Sequence, residues 1–167
     1  MTQRTEALAA AFEQAANRIV LAVEGLSDEA WDTAPAGEQR SASQIAYHMA
    51  EVYQNVGDWI LQAAAGQQLP PLTMEDIHNM NAEQANRYAR AGQARALDLL
   101  RHNSAVTAAV LRSLSDAQLD TRTVFVGFPL TVEGIAQNAL VRHTDEHLAS
   151  IQAAAGLARH TTKAQLA

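Results

Sequence analysis

The 167-residue chain is 48% hydrophobic and only 5% aromatic, a length and composition that suit one domain with a substantial core. Its net charge of −6 and isoelectric point near 5.4 argue against nucleic acid or an anionic membrane as the main partner, and Lys163 is its one lysine. With no cysteine, the chain has no disulfide, no thiolate metal ligand and no thiol nucleophile of its own.

Alanine-rich sequence with few Gly and Pro predicts helices. The first is expected from about Thr2 to Glu24, with Leu8, Phe12, Ala15, Ala16, Ile19 and Val23 on its apolar face and Gly25 ending it. A connection follows, with a short helical turn at Ser27–Trp31 and a break at Pro35 and Gly37. Ser41 and Gln44 have capping-box spacing and open a second helix that runs to near Gly66. Pro70 and Pro71 force a turn, and Thr73 to Asp76 starts another helical stretch, in two pieces joined around Gly92. The second piece carries the stripe Leu97, Leu100, Ser104, Thr107, Leu111 and Leu114. Val124 to Pro129 is apolar and β-prone and is expected as an ordered loop; Thr131 then caps a last long helix ending at Gly156. Leu26 to Asp32 is echoed by Leu114 to Asp120, each after a long helix and before a loop that leads to a His-bearing helix. The expected fold is all-α, a four-helix bundle over residues 1–160 with a tail at 161–167.

Three histidines fall on inward stripes. On the second helix, His48 fits the series Ile45, Met49, Val52, Val56, Trp59 and Ile60. On the last, His143 and His147 continue Val132, Ala136, Ala139 and Leu140 and lead to Ile151. Residues four apart share a helix face, so both imidazoles can converge on one ion. A third imidazole from another helix makes a three-His set with a position left for water or substrate, as in catalytic metal sites. Taken singly, each would read as a hydrogen-bonded core histidine; together they need one explanation as shared ligands. Imidazole suits Zn, Ni, Fe and Cu alike. His78 and His102 are expected on the surface, and His160 in the tail.

Thr144 stands where the His-Glu-x-x-His metalloprotease pattern needs Glu. Asp145, roughly 200° round from His143, should face solvent, and Glu146 is nearer the edge of the stripe but suits the surface. Tyr47, Asn55, Gln137 and Asn138 are near enough in sequence to orient the imidazoles. Trp59 and Phe128 are candidates for a pocket wall, and the Val124–Phe128 loop for a cover over the site.

The first helix, the Leu26-Ser27-Asp28-x-x-Trp31 connection, the Ser41…Ile45-x-x-His48 helix and the Thr131-x-x-x-Ile135…His143-x-x-x-His147 helix together resemble the DinB/YfiT-like superfamily over nearly the whole chain. The resemblance implies a four-helix bundle of up-up-down-down type and a divalent metal (Zn, Ni or Fe) on His48, His143 and His147. It also implies a metal-dependent transferase or isomerase acting with a low-molecular-weight thiol, and a homodimer. Ala149 stands where the related iron-dependent sulfoxide synthases carry Glu, so that activity is not expected. Three other readings stay open: a hydrolase using activated water, a non-catalytic metal-binding or stress-associated bundle, and a structural bundle with no metal. The N-terminal Met1–Glu6 lacks signal-peptide features and no apolar run approaches the ~20 residues of a membrane span. A cytoplasmic protein with a small-molecule substrate, no nucleic acid and no membrane is therefore expected.

Overall fold

The computed structural model describes residues 2–34, 39–88 and 91–165, with side chains described as far as 156. Most of the helices begin where a side chain can accept the free N–H groups of the first turn. Thr2 and Thr5 cap α1 (Gln3–Glu24) reciprocally, Ser27 caps α2 (Asp28–Asp32), and Ser41 with Gln44 forms the capping box of α3 (Ala42–Ala64). Thr73 with Asp76 does the same for α4 (Met74–Arg87), and Gly92 precedes α5 (Gln93–Ser113). Ser115 with Gln118 caps α6 (Asp116–Leu119), so the Leu26–Asp32 and Leu114–Asp120 echo is realised as two short Ser-capped helices. Gly25 ends α1 in a right-handed conformation (φ −82°) rather than with a left-handed cap.

Two segments differ from expectation. Instead of a loop, β1 (Arg122–Phe125) and β2 (Phe128–Thr131) form an antiparallel hairpin, with Arg122 opposite Thr131 and Phe125 opposite Phe128. Its two-residue turn has φ of 48° at Val126 and 82° at Gly127, and positive φ at both positions matches the twist of paired strands. Beyond it, Thr131 caps α7 (Val132–Ile135), but the chain then widens into a π-helix (Ala136–Arg142) before α8 (His143–Gln165). There His143 N–H reaches back to Asn138 O, five residues away. Asn138 Nδ2 donates to Gly134 O at 2.7 Å and Thr144 Oγ1 to Leu140 O at 2.5 Å, occupying carbonyls around the wide turn. α8 runs on through Gly156 to Gln165 rather than stopping there, since a mid-helix Gly costs only about 1 kcal/mol against Ala. The side chain of His160 lies outside the described residues.

Cross-links fix the helix directions. Thr2 Oγ1 meets Asp116 Oδ1 (2.6 Å) at one end, and Gln93 Nε2 donates to Val23 O at the other, so α1 and α5 are antiparallel. Tyr47 Oη donates to Gly92 O, Asn103 Nδ2 to Ala50 O and Thr107 Oγ1 to Tyr53 O, so α3 runs parallel to α5. Arg4 pairs with Glu133 and Arg18 with Asp145, which makes α1 and the last helix parallel. The bundle is therefore up-down-down-up, not up-up-down-down; the long crossover is the α3–α5 connection carrying α4.

Phe12, Ile19, Ile45, Met49, Tyr53, Ile60, Leu100, Leu111, Ile135 and Leu140 fill the centre, with Phe12 edge-on to Tyr53 at 5.0 Å. On α5 the buried stripe is Ala96, Leu100, Asn103, Thr107 and Leu111; Leu97 and Ser104 are only half-buried. Parallel α3 and α5 pack closely at Gly57, where an added Cβ would lie 2.6 Å from Thr107 Oγ1. Among the described residues, no helix is long and apolar enough to cross a membrane.

Candidate metal centre

His48 lies two turns inside α3, and the bundle sets that turn against the start of α8. There the π-helix has just ended, so the register of His143 and His147 is set by the wide turn as well as by their four-residue spacing. The three rings meet nearly perpendicular to one another, with centroids 4.5 to 5.5 Å apart. One nitrogen from each lies within 4.8 Å of the others. The structure thus brings together the three histidines that the sequence stripes singled out.

Nitrogen geometry suits a shared cation. His48 Nε2 and His143 Nε2 are 3.2 Å apart. Two imidazoles on a tetrahedral ion at about 2.0–2.1 Å would place their nitrogens roughly 3.3 Å apart. His147 Nε2 is buried without a hydrogen-bond partner among the described residues, a costly state for a ring nitrogen. Burial favours the neutral form of all three rings, the form in which an imidazole can bind a metal. Burial pushes the His48 imidazolium down to about 3, and the charges of Arg40 and His143 add to this. Burial lowers His147 as well, with repulsion from His143, His48 and Arg40. Burial also lowers His143, against the pull of Glu146. His48 and His147 are almost fully enclosed, whereas the His143 side chain keeps 34% of its exposure and marks the solvent side.

The surroundings depart from the sequence expectations. Gln84, on α4, was not singled out; its Oε1 lies 3.2 Å from His48 Nδ1 and its Nε2 donates to Tyr47 O at 2.8 Å. A signal existed in the series Ile77, Asn81, Gln84 and Tyr88, the inward edge of an otherwise polar helix. Arg40, just before the α3 cap, was also missed. It is half-buried, pairs with no acidic group among the described residues, and its charge reaches all three imidazoles. Tyr47 contributes its carbonyl, not its ring, which stacks on Tyr88 at 4.2 Å. Asn138 serves the π-turn, Gln137 is exposed, and Asn55 makes no bond to a histidine. Asp145 faces solvent beside Arg18, while exposed Glu146 comes within 3.7 Å of His143 Nδ1. His78 and His102 are exposed.

Neither the hairpin nor its aromatics wall the site. Phe125 packs on Trp59, eleven residues or about 16 Å along α3 from His48, and Phe128 is 62% exposed. The hairpin instead borders a pocket at the opposite end of the bundle, with Gln67, Pro70 and Pro71 on its far side.

No curated protein sequence matches the chain. Among solved structures, YfiT from Bacillus subtilis, described as a probable metal-dependent hydrolase with an unusual four-helix bundle topology, is similar with a TM-score of 0.75 and 18% identity, over 92% of this chain and 87% of its own. A mutant of mycothiol-dependent maleylpyruvate isomerase is similar at TM-score 0.74 and 11% identity; 88% of this chain matches 60% of that longer protein. An uncharacterised protein from Clostridium difficile 630 is similar at TM-score 0.71 and 13% identity, over 91% and 95% of the two chains. At these identities the likeness is one of fold. The family model of the DinB superfamily matches residues 11–151, and the chain belongs to that superfamily.

Proposed function

We propose that this chain is a divalent-metal-dependent enzyme that holds its ion on His48, His143 and His147 and acts as a transferase with a low-molecular-weight thiol. The observation that carries the metal reading is the convergence of three neutral imidazoles, one with an orphaned buried nitrogen. A divalent transition ion there supplies the Lewis acidity that makes a thiol, or a water, acidic at neutral pH.

Three features favour a thiol. The chain has no cysteine, so any sulfur nucleophile comes with a substrate. Arg40, which pairs with no acidic group among the described residues, places a cation within electrostatic reach of the triad, which favours an anionic partner such as a thiolate. Among the described residues, Glu146 is the acidic group beside the triad, and it is exposed. That leaves no sequestered general base for water, whereas a deprotonated thiol needs none at the attacking step. In the transfer, the sulfur gives up its proton, forms a C–S bond to an electrophilic carbon, and the leaving group departs with the electron pair and takes up a proton. His48 and His147 exclude water on the core side, and His143 borders the entrance.

A hydrolase is the second reading. Glu146 near His143 Nδ1 favours it, as does the description of the B. subtilis relative. A non-catalytic metal protein is less well supported, because the solvent-facing side at His143 suits an open position.

Elemental analysis of tag-free protein tests the metal. About one transition ion per chain is expected in the wild type and a loss in His48→Ala, His143→Ala and His147→Ala. Wild-type protein that takes up no Zn(II), Ni(II) or Fe(II) overturns the reading. Turnover of an electrophile only with added thiol supports the transferase; thiol-independent cleavage of esters or amides supports the hydrolase.

A further inference from the structure

α4 is mostly exposed and polar, and among its described residues Gln84 alone is buried, at 5% exposure. Nothing apolar of its own drives that burial; the amide is held by two hydrogen bonds on α3. Its Nε2 donates to Tyr47 O at 2.8 Å, and because a carbonyl only accepts, this fixes which end of the amide is which. Oε1 must then face His48 Nδ1 at 3.2 Å, and an oxygen acceptor there calls for a proton on Nδ1. His48 Nε2 is left as a lone pair aimed at His143 and His147. One amide side chain thus reads the backbone of α3 with one end and sets the tautomer of the next residue's ring with the other.

We infer that Gln84 is a positioning residue that locks His48 with Nε2 free for coordination, and that metal binding and the docking of α4 are coupled through it. This rests on the metal reading proposed above. The contacts holding α4 to α3 lie in the last turns of α4 and just beyond: Gln84 on His48 and Tyr47, Arg87 on Glu51 at 2.9 Å, and Tyr88 stacked on Tyr47. Residues 74–83 are exposed or half-buried. An ion that withdraws the Nε2 lone pair makes Nδ1–H a better donor and so tightens its bond to Gln84. The same linkage, read in reverse, makes a docked α4 raise the affinity for the ion.

The experiment uses full-length protein in three forms: wild type, Gln84→Leu, which keeps bulk without an acceptor, and Gln84→Glu, which keeps the acceptor. Long-range imidazole 1H–15N spectra of metal-free protein read the His48 tautomer, assigned by comparison with His48→Ala. Zn(II) and Ni(II) titrations read affinity, and hydrogen exchange reads α4. We expect the Nδ1–H form in wild type and Gln84→Glu and its loss in Gln84→Leu. Affinity for the ion should fall about 10- to 100-fold in Gln84→Leu only. Zn(II) should slow exchange of the α4 amides in wild type and leave them unchanged in Gln84→Leu. An unchanged tautomer together with unchanged affinity in Gln84→Leu overturns the inference. If Gln84→Leu fails to fold, Gln84→Glu decides: loss of the Nδ1–H form there also overturns it. Wild type that binds no metal but shows a Gln84-dependent tautomer sinks the metal reading and the coupling while upholding the positioning of His48.

Discussion

Gly57→Ala would press on a close contact between α3, which carries His48, and α5. The new Cβ would sit 2.6 Å from Thr107 Oγ1, 3.4 Å from its Cγ2 and 3.5 Å from its Cβ, so the methyl meets a stiff β-branched side chain, with the clash at the hydroxyl. Rotating Thr107 away breaks its 2.7 Å bond to Tyr53 O, at about 1 kcal/mol. Leaving it in place forces the helices apart, at about 1–3 kcal/mol. Against this stands a gain of about 1 kcal/mol in helix propensity. The balance is a net loss of roughly 0–2 kcal/mol, or up to about 5 °C in melting temperature for a chain of this size. Urea unfolding of metal-free Gly57→Ala, Thr107→Ala and the double variant measures it. In the double variant the obstructing atoms are gone, so a coupling of about 1–2 kcal/mol should appear between the two sites. A Gly57→Ala protein more stable than wild type by the full helix gain of about 1 kcal/mol, or additive single changes, would refute the close approach.

Metal-free protein should lose stability in acid. Folded His48 is depressed to about 3 against about 6.5 unfolded, so between those values the unfolded chain binds more protons. The contribution is intact above about pH 6.5 and falls by roughly 1.4 kcal/mol per pH unit below it, so urea midpoints at pH 7 and pH 5 should differ, and less so in His48→Gln. Val126→Asn should stabilise by about 1 kcal/mol, because a β-branched residue at φ 48° is strained where Asn is tolerated; a lowered melting temperature would count against the turn. Zn(II) at a hundred times its dissociation constant should stabilise wild type by about 2.7 kcal/mol and His147→Ala not at all. His78→Ala and His102→Ala, both exposed, should keep wild-type metal content by elemental analysis.

Much of the fold and the triad was legible in the chain because local rules and tertiary packing agree there. The Ser41/Gln44, Thr73/Asp76 and Ser115/Gln118 boxes mark helix starts by side-chain chemistry that survives in any context. His48, His143 and His147 continue apolar stripes, so folding buried His48 and His147 and brought His143 to the edge beside them. The π-helix was not legible, since a bond from His143 N–H to Asn138 O leaves no hydrophobic period to read. The hairpin was missed because its turn is Val126-Gly127, without the Asn or Asp that usually announces two positive φ values. Gln84 escaped notice because a glutamine on a polar helix has no reason to be inside until His48 and Tyr47 O are known to face it. Arg40 lies outside any helix, and only the bundle brings its charge to the triad.

The triad also ties together parts of the chain that are far apart in sequence. His48 and His143 are 95 residues apart, one on each of the helices that follow the two short Ser-capped turns. An ion shared between them would act as a reversible staple in a protein that has no cysteine to make a permanent one. Closing a loop of that length removes conformational freedom from the unfolded chain worth about 4–5 kcal/mol in the loop-entropy picture, a large share of the stability of an ordinary domain. The lifetime of the folded chain, and not only its turnover, would then follow the supply of the ion.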